Sequence, residues 1–238
     1  MFDFSKWFKK SEPQKEENKK PLIIAIHGFG KRRTHEYNNL KSALKDYDIV
    51  IPELFDQTKE DDVYWYNWVS KAEEAIIKAK NEKREIVLIG FSMGGVIATY
   101  LASKFVIKKL ILLAPAFEYM TVTTVQTTVN HALFKKADIE DVIYEPLPTN
   151  FTPVFMEVVN NCKDAIDKVS CPTVIMHCME DEVIPYTVSQ KYYKKLAIDD
   201  KKLILYGDGQ HRILDDERIK DTCINTILYE LSLLENVR

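Results

Sequence analysis

Ser92 has the surroundings of a residue that could do chemistry. It sits in Gly90-Phe91-Ser92-Met93-Gly94-Gly95, with a glycine two residues to either side and a further glycine behind. A serine hydroxyl is a poor nucleophile at neutral pH. To attack a carbonyl carbon it needs a general base to take its proton, most often a histidine, and that base needs a carboxylate to orient it. The chain holds five histidines and 36 acidic residues from which such partners could be drawn.

The elements around Ser92 decide whether it can serve. Ile86 to Ile89 is an apolar run with three β-branched residues, which fits a strand buried on both faces. Gly90 ends it, and from Gly95 onward Val96, Ala98, Tyr100 and Ala102 suit a helix packed closely on a sheet. A strand that turns abruptly into a helix holds the middle residue in a strained conformation and needs neighbours without side chains at Gly90 and Gly94. The helix N-terminus behind the serine adds positive potential. Taken alone, the same pattern fits a serine in a structural strand-to-helix turn of another doubly wound protein.

Composition narrows the classes. With 238 residues, 46 % of them apolar, the chain is long enough for one large α/β domain with a full core. A net charge of −3 and the lack of a basic stripe interleaved with aromatics exclude a nucleic-acid binder. Cys162, Cys171, Cys178 and Cys223 lack metal-ligand spacing and no signal peptide precedes them, so a reduced, cytoplasmic protein is expected. No apolar run approaches the roughly 20 residues of a membrane span. The seven glycines fall in three places, Gly28 and Gly30, Gly90 to Gly95, and Gly207 and Gly209.

Residues 1–20 read as a charged tail. Phe2, Phe4, Trp7 and Phe8 give its first ten residues an aromatic side, for which docking on the domain or disorder is favoured over weak membrane-surface contact. Leu22 to His27 is an apolar strand running into Gly28-Phe29-Gly30, and His27 reads as a packing or loop-bracing residue. Lys31, Arg32 and Arg33 are either solvated or attract an anionic substrate to a pocket rim. A helix is expected over His35–Asp46, a strand over Asp48–Pro52, and a longer helix from the Asp61-Asp62 cap to about Lys80. Tyr64, Trp65, Tyr66 and Trp68 on that helix favour core packing over a ligand site. Lys109–Pro115 and Pro172–Cys178 are further strands, and intervals too long for hairpins require parallel pairing. Between them, about 117–170, no strand is evident and an insertion is expected, returning as a helix over about Pro153–Lys168, with His131 on its surface. A last strand, Lys202–Gly207, precedes Asp208-Gly209-Gln210-His211 and a closing helix over about Asp216–Leu234.

From about Leu22 to Leu234 this pattern resembles the α/β-hydrolase superfamily, and Gly90–Gly95 is close to the nucleophile turn of its small esterases and lipases. The resemblance implies a doubly wound, mostly parallel sheet with a cap at about 117–170. It also implies a catalytic triad of Ser92, Asp181 and His211 in the superfamily's order, each just beyond the carboxyl end of a strand. Asp181 corresponds to the acid through Asp181-x-x-Ile184-Pro185, with Glu180 and Glu182 left as alternatives. A glycine is common in the family where this chain has Cys178, a departure that leaves the path of that loop open. His27-Gly28 resembles the oxyanion loop, which makes the backbone N–H groups of Phe29 and Met93 the implied oxyanion donors. The activity implied is carboxylic-ester hydrolysis of the small capped carboxylesterase or monoacylglycerol lipase type, on short or medium acyl chains, through an acyl-enzyme. Thioester, peptide or carbon–carbon bond hydrolysis on the same triad is the runner-up, and a binding protein of the same fold comes last. The partner implied is a small-molecule ester, with no metal and no organic cofactor, and the oligomeric state is unspecified.

Overall fold

The computed structural model describes residues 20–30, 33–119 and 147–235. The tail over residues 1–19, Lys31, Arg32, His131 and most of the expected insertion lie outside them, as does any membrane contact of residues 1–10. Six strands form a single sheet: β1 (Leu22–Ile26), β2 (Ile49–Val50), β3 (Ile86–Phe91), β4 (Lys109–Leu113), β5 (Thr173–Cys178) and β6 (Lys201–Tyr206). Their spatial order is β2-β1-β3-β4-β5-β6, and all five pairings are parallel. This is the parallel sheet that the strand and helix spacing requires, and the α/β-hydrolase architecture that the resemblance implies.

Helices fill the crossovers: α1 (Asn38–Ala43), α2 (Trp65–Asn81), α3 (Met93–Ala102), α4 (Phe151–Cys162), α5 (Tyr186–Lys195) and α6 (Lys220–Glu235). Short 3-10 segments precede α1 (Arg33–Tyr37) and follow α4 (Lys163–Lys168), where longer α-helical runs were expected. Side chains alternate across each strand. Ile24, Ile26, Leu88, Leu110, Leu112 and Ile175 face one layer, where Trp68, Val96, Leu101, Phe151, Val158 and Tyr192 pack from α2 to α5. Ile23, Ala25, Val87, Ile89, Ile111 and Val174 face the other, against Tyr37 and Leu40 and, from α6, Cys223, Ile227 and Leu231. Two buried faces explain why the central strands read as unbroken apolar runs.

The second strand is shorter than the sequence suggests. Only Ile49 and Val50 pair with β1, at Ile23 and Ile24. This is the sheet edge, Val50 is 40 % exposed, and Pro52 has no N–H to continue a ladder. The aromatic run at the start of α2 splits by position. Trp68 is fully buried and donates its indole N–H to the Asp62 carbonyl at 3.1 Å, whereas Tyr64 is 57 % exposed.

Candidate active site

Between the last residue of β3 and the first of α3 stands Ser92, with φ 53° and ψ −119°. A side chain at positive φ costs of order 1–3 kcal/mol and persists only where its surroundings over-determine it. Here they do. The Ser92 N–H donates to Leu113 O at 2.9 Å, and its carbonyl accepts from Gly95 N–H at 3.0 Å and Ala116 N–H at 3.1 Å. The glycines are sterically compelled: a Cβ on Gly90 would lie 2.4 Å from Gly94 O, and one on Gly94 would lie 1.9 Å from Ile26 O. The hydroxyl projects from the C-terminal edge of the sheet, where the ligand sites of open parallel sheets form.

The residues after β5 carry Asp181, whose carboxylate is fully buried. Its Oδ1 accepts the N–H groups of Val183 and Ile184, both at 2.8 Å, which fold the loop around the side chain. Its Oδ2 accepts from His211 Nδ1 at 2.8 Å. On the far side of that ring His211 Nε2 lies 3.0 Å from Ser92 Oγ. Because Asp181 only accepts, His211 carries its proton on Nδ1 and offers the Nε2 lone pair to the Ser92 hydroxyl. Phe91 packs against the imidazole, ring centroids 5.0 Å apart. The three residues expected to act together are therefore in one hydrogen-bonded chain.

Electrostatics favour the arrangement. Burial pushes the Asp181 carboxyl up, but the charge of His211 and hydrogen bonds from His177 and His211 outweigh it and hold the carboxyl well below its usual range. For His211 burial disfavours the charged ring, yet Asp181, with Glu182 and Glu36 behind it, raises the imidazole above its ordinary 6.5. Glu182 also accepts the His211 backbone N–H at 3.0 Å. Glu180 pairs with Arg218 at 3.0 Å. Cys178, at the departure from the family's usual glycine, is buried with its thiol pushed up to about 12 by burial and then by Asp181, which leaves it unreactive.

The loop after β1 passes beside the serine. A Cβ on Gly28 would lie 3.2 Å from Ser92 Cβ. His27 is fully buried and its Nδ1–H donates to Gly28 O at 2.8 Å, while its Nε2 accepts Leu54 N–H at 3.1 Å. With its lone pair occupied it braces this loop and has nothing free to act as a base. Gly28 N–H donates to Glu36 Oε2 at 2.8 Å, so both backbone polar groups of the residue just before Phe29 are held. Met93 opens α3, where an N–H has no intrahelical acceptor. The Phe29 ring stacks on Phe155 at 5.0 Å and on the fully buried Trp68 at 6.1 Å, which anchors this loop in the layer of α2 to α5.

The sequence reading passed over His177 and Glu36, both buried and both bonded to site residues. A signal existed for the first, a polar side chain in the wholly apolar strand that leads to Asp181. For Glu36 the spacing from Gly28 follows no regular period, and only the folded loop reveals the pairing.

Comparison with known proteins agrees with this fold. Residues 22–218 match the profile of the uncharacterised protein family UPF0227. The chain is 23 % identical over 218 residues to a thermostable monoacylglycerol lipase of Bacillus sp. (strain H-257), covering 84 % of this chain and 86 % of that one. Among solved structures, a metagenome-derived lipolytic enzyme superposes with a TM-score of 0.73 at 16 % identity, covering 90 % and 94 % of the two chains. The monoacylglycerol lipase of Paleococcus ferrophilus gives 0.71 at 14 % identity, covering 91 % and 95 %.

Proposed function

The chain belongs to the uncharacterised protein family UPF0227, and from that premise we propose that it is a serine hydrolase that cleaves carboxylic esters of short or medium acyl chains through an acyl-enzyme. The observation that carries the reading is the unbroken relay from Ser92 Oγ through His211 to the buried Asp181 carboxylate. His211 takes the Ser92 proton as Oγ attacks the ester carbonyl, and Asp181 stabilises the imidazolium that results. The Phe29 and Met93 N–H groups receive the tetrahedral oxyanion, each such donor worth roughly 2.7–4 kcal/mol of barrier. The imidazolium then gives its proton to the departing alcohol. In the second half His211 deprotonates a water that attacks the acyl-enzyme, and the acid leaves with Ser92 restored.

Phe29, part-exposed on the loop that passes Ser92, supports an apolar acyl group. A small monoester is also the kind of substrate for which the Bacillus and Paleococcus relatives are named. Fluorophosphonate labelling, coupled to turnover on a panel of p-nitrophenyl esters, monoacylglycerols and thioesters, tests the reading. Wild-type protein takes the label and prefers oxygen esters, and Ser92→Ala does neither while keeping its Tm. An unlabelled wild type, or Ser92→Ala with near wild-type turnover, refutes it.

A further inference from the structure

His177 lies in β5, fully buried, and both of its ring nitrogens are engaged. Its Nε2 is 2.9 Å from Ile184 O and 2.9 Å from Asp181 Oδ2, the same carboxylate oxygen that receives His211. Its Nδ1 is 2.7 Å from Ser189 Oγ, which is itself fully buried in α5. Both neighbours of Nε2 only accept, so that nitrogen carries a proton, and its one N–H is divided between Ile184 O and Asp181 Oδ2. In the neutral ring Nδ1 then accepts the Ser189 hydroxyl.

We propose that His177, clamped by Ser189, is a positioning residue that fixes Asp181 Oδ2 for the base. The proposal rests on the function proposed above. Two backbone N–H groups pin Asp181 Oδ1, which still leaves the carboxylate free to pivot about that oxygen. With His211 as its one partner, Oδ2 would be located by a ring on a loop. His177 instead belongs to an interior strand, hydrogen-bonded to β4 and β6, and ties Oδ2 to the frame of the sheet. The base then closes on a carboxylate whose direction is already set. The cost of sharing is that Oδ2 divides its accepting capacity between two donors, a bond kept for geometry.

The test uses His177→Gln, His177→Asn and Ser189→Ala. A glutamine amide ends near the position of Nε2 and keeps an N–H toward Oδ2, whereas an asparagine amide ends near Nδ1 and leaves Oδ2 without its second donor. Expected on p-nitrophenyl butyrate is a kcat within about tenfold of wild type for Gln and a loss near 10²-fold for Asn, the scale of a misplacement of roughly 1 Å. KM stays within about twofold for both, since His177 borders no substrate, and Ser189→Ala loses a few-fold. Equal loss in Gln and Asn at equal Tm, or wild-type kcat in Asn, overturns the proposal. Nitrogen-15 spectra of histidine-labelled wild-type protein test the protonation that the proposal requires, independently of substrate and of whether the variants fold. A protonated Nε2 on His177 beside a protonated Nδ1 on His211 is expected, and an unprotonated His177 Nε2 overturns the proposal. Absence of fluorophosphonate labelling in wild type would instead strike the proposed function, and the spectra would still judge the His177 protonation on which the bond depends.

Discussion

Gly94→Ala should separate the two jobs of the glycines around Ser92. The added Cβ would stand 1.9 Å from Ile26 O, 2.5 Å from Ile26 C and 2.6 Å from His27 O, all of them backbone. Real Cβ atoms essentially never approach within 3.0 Å, so α3 and the end of β1 must separate by about 1 Å. Neither side can give easily. Ile26 pairs with Gly90 across the sheet, and its carbonyl also accepts the Tyr37 hydroxyl at 2.8 Å. Overpacking of this kind costs about 1–3 kcal/mol, which in a domain of this size lowers Tm by roughly 2–12 °C. The same shift moves the loop bearing Phe29 away from Ser92, and a 1 Å misplacement costs about 10²-fold in rate. Gly207→Ala is the control, because its Cβ would meet nothing within 4 Å. Melting curves and kcat/KM on p-nitrophenyl butyrate provide the readout. Gly94→Ala with unchanged Tm and turnover, or equal losses in both variants, would refute the argument that close packing of β1 on α3 sets the site.

Asp181→Asn should lower kcat by as much as ~10⁴-fold by favouring the wrong tautomer of His211, with Asp208→Asn near wild type; the reverse order would move the acid to the loop beside the base. The base works only when neutral, so with His211 raised, kcat/KM should fall as pH drops through a value above the ordinary 6.5. Glu182→Gln removes one carboxylate that favours the imidazolium and should move that acid limb to lower pH, and a limb that stays in place or rises contradicts the assignment. Across p-nitrophenyl esters from acetate to palmitate, kcat/KM should climb roughly fourfold per buried methylene, about 0.8 kcal/mol each, until the acyl site is full, and then fall. A rise that continues to palmitate, or equal activity on emulsified triacylglycerol, would replace the short-chain reading with a true lipase.

What could be read from the chain is what is local in it. Ser92 announces itself because its strain must be relieved by glycines two residues away. Asp181 does so because its side chain folds back on the N–H groups of residues 183 and 184 just ahead of Pro185. The bracing role of His27 follows from a histidine caught between a buried strand and a glycine. His177 stands out as a polar residue in an apolar strand, but what it does was not legible, because its partners Ser189 and Asp181 come together only after β5 turns into α5. The short β2 was overextended for the opposite reason: Asp48–Pro52 has strand composition, but whether a strand continues depends on its neighbour, and at an edge beside Pro52 pairing stops.

The relay joins the two layers of the molecule. Ser92 opens α3, which packs in the layer of α2 to α5, while His211 arrives on the loop ahead of α6 in the other layer. Separated by 119 residues in sequence, the pair meets at 3.0 Å because the registers of β3, β4, β5 and β6 carry both ends to one edge. Phe91 links the two residues. It immediately precedes the serine yet packs in the layer of α6 and rests on the His211 ring. Substitutions in the layer of α6 that shift Phe91 therefore reach Ser92 and His211 together.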